Sequence, residues 1–264
     1  MPRLRGLAGG YRGGATGRHA CRRGLHRTQR RRAARRRCRA NHRRFPGSRV
    51  AEPRKPVSAP AFWDGLYAEH QDGWELGEAA PSLRAWLAAG QTFTHAGASP
   101  MSRPPHIAVP GCGRGHDARL LARHGYAVTG FDFADAAIAE ARGLAATERL
   151  AVAFEQRDIF TLGPDYAERF DAVWEYTCFC AIDPDRRAEY AQVLQAILRP
   201  GGILLACFYP LREGTDGPPF PVSREGIATV LEPCFRIVEA GEPPASPERR
   251  RNLEWFVTAE RRAS

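Results

Sequence analysis

Acidic residues are missing from the first fifty positions of this 264-residue chain, which hold 17 arginines and no lysine. The other 22 of its 39 basic residues face all 29 acids beyond position 50, a net of −7. An acidic body therefore carries a basic arm, and the formal charge of +10 does not describe a body built to bind nucleic acid. No run of about 18 apolar residues occurs, so no segment reads as a membrane-spanning helix. The seven cysteines are odd in number and contain no Cys-x-x-Cys pair. That spacing points away from a zinc site or a disulfide framework and towards a reducing, cytoplasmic setting. A Gly-x-Ser-x-Gly sequence is absent, which removes the signature of a hydrolase nucleophile elbow. Lys55 is the only lysine.

Residues 1–59 are rich in Arg, Gly and Pro and poor in periodic apolar positions, so they are expected to form a disordered extension. Three readings fit it: an Arg-rich transit segment, a tail for nucleic acid or a membrane surface, or a stretch outside the working protein, with translation starting at Val50 or Val57. No apolar stretch follows the charges as a secretory signal requires. Residues 60–264 are expected to form one domain.

The domain opens with a helix started by Pro60, with Phe62, Trp63, Leu66 and Tyr67 at helical spacing. A loop at Gly73-Trp74-Glu75-Leu76-Gly77 and a helix over Pro81–Ala89 follow. Strands and helices then alternate. Strands are read at His106–Pro110, Ala127–Asp132, Ala151–Gln156, Phe170–Tyr176 and Ile203–Tyr209. Helices are read at Asp117–His124, Asp135–Ala146 and Asp185–Leu198, the last stopped by Pro200-Gly201-Gly202. This order implies a mostly parallel sheet with helices on both faces. A helix near Ser223–Leu231 precedes two strands, Phe235–Glu239 and Leu253–Ala259, expected as a closing antiparallel pair. The fold class is α/β, three-layered and Rossmann-like, with a seven-stranded sheet.

The first strand runs into Val109-Pro-Gly-Cys-Gly-Arg-Gly-His-Asp117. Glycines there let the backbone approach a ligand, and the next helix points its first N–H groups at it. Asp132 lies 21 residues after Gly111 at the end of the second strand, where an acid takes both hydroxyls of a ribose. The glycines fall at 111, 113 and 115, and His116 stands where a dinucleotide fingerprint has its third glycine. That G-x-G-x-G spacing is the pattern of S-adenosylmethionine methyltransferases. Asp158 ends the third strand and suits an exocyclic adenine amine, while the Ile159 N–H suits a ring nitrogen. The fourth strand leads to Tyr176, where methyl group and acceptor are expected to meet.

Trp63, Trp74, Val109-Pro-Gly-Cys-Gly, Gly115-His-Asp117, Asp132, Asp158-Ile159, Tyr176 with Phe179-Cys-Ala-Ile182, Leu198-Arg-Pro-Gly-Gly-Ile203, and Tyr209-Pro210 with Gly217-Pro-Pro-Phe220 together resemble the thiopurine S-methyltransferase family, closest to its thiol and halide branch. The likeness spans about residues 60–260. It implies a class I methyltransferase fold and S-adenosylmethionine as cofactor, with contacts at Trp63, Trp74, Gly111, Asp132, Asp158, Ile159 and Tyr176. The loop with Gly111, Cys112, Gly113 and Gly115 is assigned the methionine portion. Two positions depart from the family: Cys178 stands where an aromatic is frequent, and Tyr67 where plant relatives often have Trp.

Methyl transfer from a sulfonium is an in-line displacement, so the protein supplies proximity, alignment and a dry pocket. Rings such as Trp63, Trp74, Phe133 and Tyr176 attract a sulfonium by about 0.5–2 kcal/mol each; Phe62 is read as core, and the Trp74 loop as a lid. A thiolate or halide needs no strong base, and none is assigned. The Asp/Asn-Pro-Pro-Tyr/Phe motif of enzymes that methylate nitrogen is absent from 175–178. Cys178 and Cys180 are expected on opposite strand faces, unable to chelate together, and Arg249–Arg251 reads as a solvated loop. No metal site is read. The expectation is a monomeric methyltransferase for a small soft nucleophile such as a thiopurine, small thiol or halide. Nucleic acid is expected to involve at most the basic arm. The other reading of the layered sheet, an NAD(P)-dependent oxidoreductase, lacks both a glycine at 116 and a Tyr-x-x-x-Lys.

Overall fold

A computed structural model of the chain describes residues 56–93 and 103–263, all within the unit Ala51–Ser264. Apart from its last four positions, the expected extension over 1–59 lies outside the described residues.

Helix α1 (Pro60–Ala68) has proline in its first turn, where the missing N–H is no loss, and α2 (Pro81–Ala88) begins the same way. The layered part comprises β1 (His106–Pro110), α3 (His116–Arg123), β2 (Ala127–Asp132), α4 (Asp135–Glu148), β3 (Ala153–Gln156), α5 (Leu162–Tyr166), β4 (Phe170–Tyr176), α6 (Arg187–Ile197), β5 (Leu198–Phe208), α7 (Arg224–Leu231), β6 (Phe235–Gly241) and β7 (Trp255–Arg261). The sheet order is β3-β2-β1-β4-β5-β7-β6, and β7 alone runs antiparallel to its neighbours. The expected antiparallel pair therefore forms with the last strand inserted between β5 and β6.

Side chains alternate across the sheet, so each strand feeds two cores. Val173 of β4 and Leu204 and Phe208 of β5 face the α5, α6 and α7 side. Ile107 and Val109 of β1, Trp174 of β4 and Leu205 of β5 face the opposite core with α2, α3 and α4. Strands covered on both faces read as continuous apolar runs, which explains why Ile203–Phe208 shows no polar alternation.

Several boundaries move by one to five residues from the sequence reading, and two of them have a clear local cause. A 3₁₀ turn at Pro184–Arg186 precedes α6, because the Asp183 carboxylate caps the Asp185 N–H at 3.2 Å. The Pro200-Gly201-Gly202 stop lies inside β5: Leu198 already pairs with Phe170, and the next partners are Ile203 and Ala172, so a bulge absorbs the extra residues.

Chain direction across the sheet reverses between β1 and β4: β2 and β3 lie to one side of β1, and β4 lies on the other. Such a switch point leaves a crevice at the carboxyl ends of the strands.

Candidate active site

The crevice at that switch point is one pocket. The turn after β1 contributes Gly111, Cys112 and Gly113, and β2 contributes Asp132 with Phe133 beyond it. Asp158 and Ile159 come from the turn after β3, Tyr176 from the end of β4, and Trp63 and Trp74 from the amino-terminal elements. Gly115 is not among the lining residues. At φ +71° it occupies the N-cap position of α3, and a Cβ there would sit 2.6 Å from the Phe154 ring, so it seats the turn against β3. Gly111 has a different constraint: at φ +61° its Cβ would meet the Cys178 side chain at 2.8 Å.

Asp132 is nearly buried. Its Oδ2 accepts from the Gly113 N–H at 2.8 Å and its Oδ1 from the Ala134 N–H at 3.0 Å. Burial pushes its carboxyl up, against the pull of those backbone donors. A carboxylate has about four acceptor sites, so two remain for vicinal hydroxyls. Asp158 Oδ1 accepts from the Phe160 N–H at 2.9 Å. Ile159 opens the 3₁₀ turn Ile159–Thr161, so its N–H has no partner inside the turn. One carboxylate oxygen and one N–H thus stand side by side at the pocket wall, the pair that an adenine edge requires.

Trp63, Tyr67 and Trp74 form an aromatic cluster, edge to face at centroid distances of 5.6 Å. Trp63 is tied back by its indole N–H to the Val57 carbonyl at 2.9 Å. Three arginines hold the Trp74 loop. Arg114 pairs with Asp72 and lies 3.6 Å from Glu75. Arg249 donates to the Gly73 and Glu75 carbonyls at 2.8 and 2.9 Å. Arg250 donates to the Trp74 carbonyl at 2.6 Å.

Arg249–Arg251 is therefore not simply a solvated loop. Arg250 is 2% exposed; besides Trp74, it donates to the Tyr176 hydroxyl at 2.7 Å. Its guanidinium lies against the rings of Tyr176 and Tyr209, 5.1 and 4.6 Å from their centroids. The Tyr176 hydroxyl in turn donates to Glu254 Oε1 at 2.7 Å. Local sequence carries no sign of this, since three consecutive arginines in a polar loop read as surface until the loop folds over Tyr176.

The cysteine expectation also changes. β4 ends at Tyr176, and Thr177 takes φ +67°, so 177–180 is a turn, not a strand. Strand alternation no longer applies, and Cys178 and Cys180 both line the pocket. The cause is Glu175, whose buried carboxylate accepts from the Phe179 N–H at 2.9 Å and from the Tyr190 hydroxyl at 2.6 Å. Among the described residues, no group of three or more His, Cys, Asp or Glu is arranged to hold a metal ion.

Burial pushes the Glu175 carboxyl up to about 7, opposed only in part by its hydrogen bonds. An acid raised on folding holds a proton that the unfolded chain releases nearer its ordinary value of 4.5. Its contribution to stability is complete below 4.5 and is lost as pH rises to about 7, a fall of about 3 kcal/mol. Glu175→Gln is expected to flatten this fall. Urea midpoints at pH 5 and pH 8 should lie closer together than in the wild type, with a smaller slope left by Asp117 and Asp132, which burial also raises. An unchanged slope would locate the titration elsewhere.

Comparison with known proteins adds the following. The thiopurine S-methyltransferase (TPMT) family matches residues 58–263. Thiocyanate methyltransferase 1 of Arabidopsis thaliana is 30% identical over 195 residues, 73% of this chain and 81% of that protein. Probable thiol methyltransferase 2 of the same plant is 32% identical over 195 residues, with the same coverage. Among solved structures, the 1,6-didemethyltoxoflavin-N1-methyltransferase of Burkholderia thailandensis, with 1,6-didemethyltoxoflavin and S-adenosylhomocysteine bound, superposes at a TM-score of 0.60. It is 22% identical, over 79% of this chain and 88% of that one, a likeness of fold.

Proposed function

The chain belongs to the thiopurine S-methyltransferase family, and from that premise we propose how its residues carry methyl transfer from S-adenosylmethionine to a small thiol. The observation that carries the reading is the paired hold on Asp132: two backbone N–H groups fix its carboxylate in the crevice beside the glycine turn. Asp132 takes the ribose hydroxyls, Asp158 and the Ile159 N–H take the adenine edge, and Gly111, Cys112 and Gly113 give backbone room to the methionine portion. When bound, S-adenosylmethionine supplies an electrophilic methyl group on a sulfonium cation. Trp63, Trp74, Phe133 and Tyr176 face that cation with rings, worth about 0.5–2 kcal/mol each, and exclude water from it. The Trp74 loop closes the site under the hold of Arg114, Arg249 and Arg250.

Tyr176 lies at the methyl-transfer end. Arg250 and Glu254 fix its hydroxyl, one as donor and one as acceptor, so the ring is held where a small soft acceptor meets the methyl group. Thiocyanate, the acceptor in the name of one plant relative, is of that kind. The protein acts as a monomer in the cytoplasm, and its body takes no nucleic acid. No helix among the described residues is long and apolar enough to cross a membrane. The test is chemical: the purified chain with S-adenosylmethionine is offered small thiols, thiocyanate, iodide and an amine control, and volatile methylated products are collected. Methylated sulfur or iodide products are expected without methylated amine; methylated amine alone would overturn the assignment.

A further inference from the structure

Three acids about the crevice, Asp117, Asp132 and Glu175, each already accept two hydrogen bonds from the protein's own donors. Asp117 accepts from the Ala80 N–H at 2.7 Å and from the Trp174 indole at 2.7 Å. Asp132 holds two backbone N–H groups. Glu175 holds the 177–180 turn and Tyr190, and is not among the residues lining the pocket. Glu254 differs. It is 2% exposed, its Oε1 accepts from the Tyr176 hydroxyl, and its Oε2 is buried without a hydrogen-bond partner. Its approach to the crevice runs through Tyr176, which does line the pocket.

Resting on the reading of Tyr176 as the methyl-transfer end, we propose that Glu254 is the terminal proton acceptor for thiol substrates and acts through the Tyr176 hydroxyl. A thiol that enters protonated gives its proton to Tyr176 Oη as the Tyr176 proton passes to Glu254 Oε1. The S–H bond and the old tyrosine O–H bond break, while a new tyrosine O–H and a carboxyl O–H form. The sulfur keeps the electron pair with which it accepts the methyl group. Tyr176 loses one proton as it gains another, so it never carries a full negative charge. After product leaves, the carboxyl returns its proton to solvent by the same route. The acceptors best served are small neutral thiols that are mostly protonated near neutral pH, as a free cysteine thiol with its value of about 8.5 is; halides and thiocyanate do not need the relay.

The groups facing this pair are few. Arg250 also donates to Tyr176 Oη and orients it. Cys207 lies near both Tyr176 and Glu254, and burial holds its thiol well above the usual range, in the neutral form. Asp117 acts on Cys207 more remotely. None of these replaces Glu254 as a proton acceptor. Glu254 touches no substrate and works through Tyr176, so a merely structural role must be told apart by experiment.

The variant is Glu254→Gln, which keeps an oxygen for the Tyr176 hydroxyl but takes no proton. Turnover is compared for 2-mercaptoethanol and for iodide, which has no proton to lose, between pH 6 and pH 9. The thiol-to-iodide rate ratio at pH 7 is expected to fall at least tenfold, and to recover as pH approaches the thiol's own pKa. A second reading is the solvent isotope effect: turnover of 2-mercaptoethanol by the wild type should slow in deuterium oxide, because protons move with the methyl group, while that of iodide should not, and the thiol's effect should shrink in the variant. Equal losses for both acceptors, or a solvent isotope effect on the thiol reaction that is unchanged in the variant, would overturn the relay and leave Glu254 structural. A wild type that binds S-adenosylhomocysteine but methylates neither acceptor would overturn the underlying substrate reading instead.

Discussion

Asp132→Ala is expected to weaken binding of S-adenosylhomocysteine at least a hundredfold. Each hydrogen bond to a charged acceptor contributes about 1.5–3 kcal/mol, and two to the ribose give roughly 3 kcal/mol or more, two decades of affinity. The substitution also frees the Gly113 N–H, which fixes the glycine turn, and the Ala134 N–H at the start of α4. Asp132→Asn should not rescue fully. One of its two polar atoms is an NH₂ group, and both carboxylate oxygens now accept from backbone donors, so one amide must meet another donor. Calorimetric titration of each variant reads this directly. Affinity within threefold of the wild type would place the ribose elsewhere.

The second large effect is expected at Arg250. Arg250→Ala removes two charge-assisted hydrogen bonds, to the Tyr176 hydroxyl and the Trp74 carbonyl, and two ring contacts. Stability should fall by about 3 kcal/mol or more, seen as a lower urea midpoint. Turnover should fall further than stability accounts for, because Tyr176 and the Trp74 loop lose their common anchor. Arg250→Lys keeps the charge, but a single ammonium lacks the planar fork that reaches both partners at once. It should recover much of the stability and little of the turnover. A lysine variant with full turnover would reduce Arg250 to a packing residue.

The two substitutions probe the halves of the site that differed in legibility. The half of the crevice around the glycine turn could be read from the chain because its signals are local. A glycine turn after an apolar strand, an acid at the end of the next strand and another at the third follow from strand–turn–helix periodicity, and Asp132 and Asp158 line the crevice as that pattern implies. Gly115 fits the same pattern for a different reason, since the Phe154 ring packs where its Cβ would be.

The half around Tyr176 is hidden from the sequence because its contacts are long-range. Arg250 and Tyr176 are 74 positions apart, and Tyr176 and Glu254 are 78 apart. Nothing periodic marks a polar loop that folds back over the end of β4. The apolar sequence of 177–180 reads as strand; what bends it into a turn is Glu175, a buried carboxylate that captures the Phe179 N–H. Inside Phe170–Tyr176 such an acid looks like any strand residue until its partners are known. The Gly-Gly after Pro200 raised the converse problem, since bulge and stop share the same residues and only pairing of Leu198 with Phe170 separates them.

The most direct measurement is a calorimetric titration of the full chain with S-adenosylhomocysteine and, separately, with NADH. One S-adenosylhomocysteine per chain at micromolar affinity, with no heat from NADH, is the predicted result. Silence towards S-adenosylhomocysteine at millimolar concentration, or comparable binding of NADH, would contradict the assignment of the crevice.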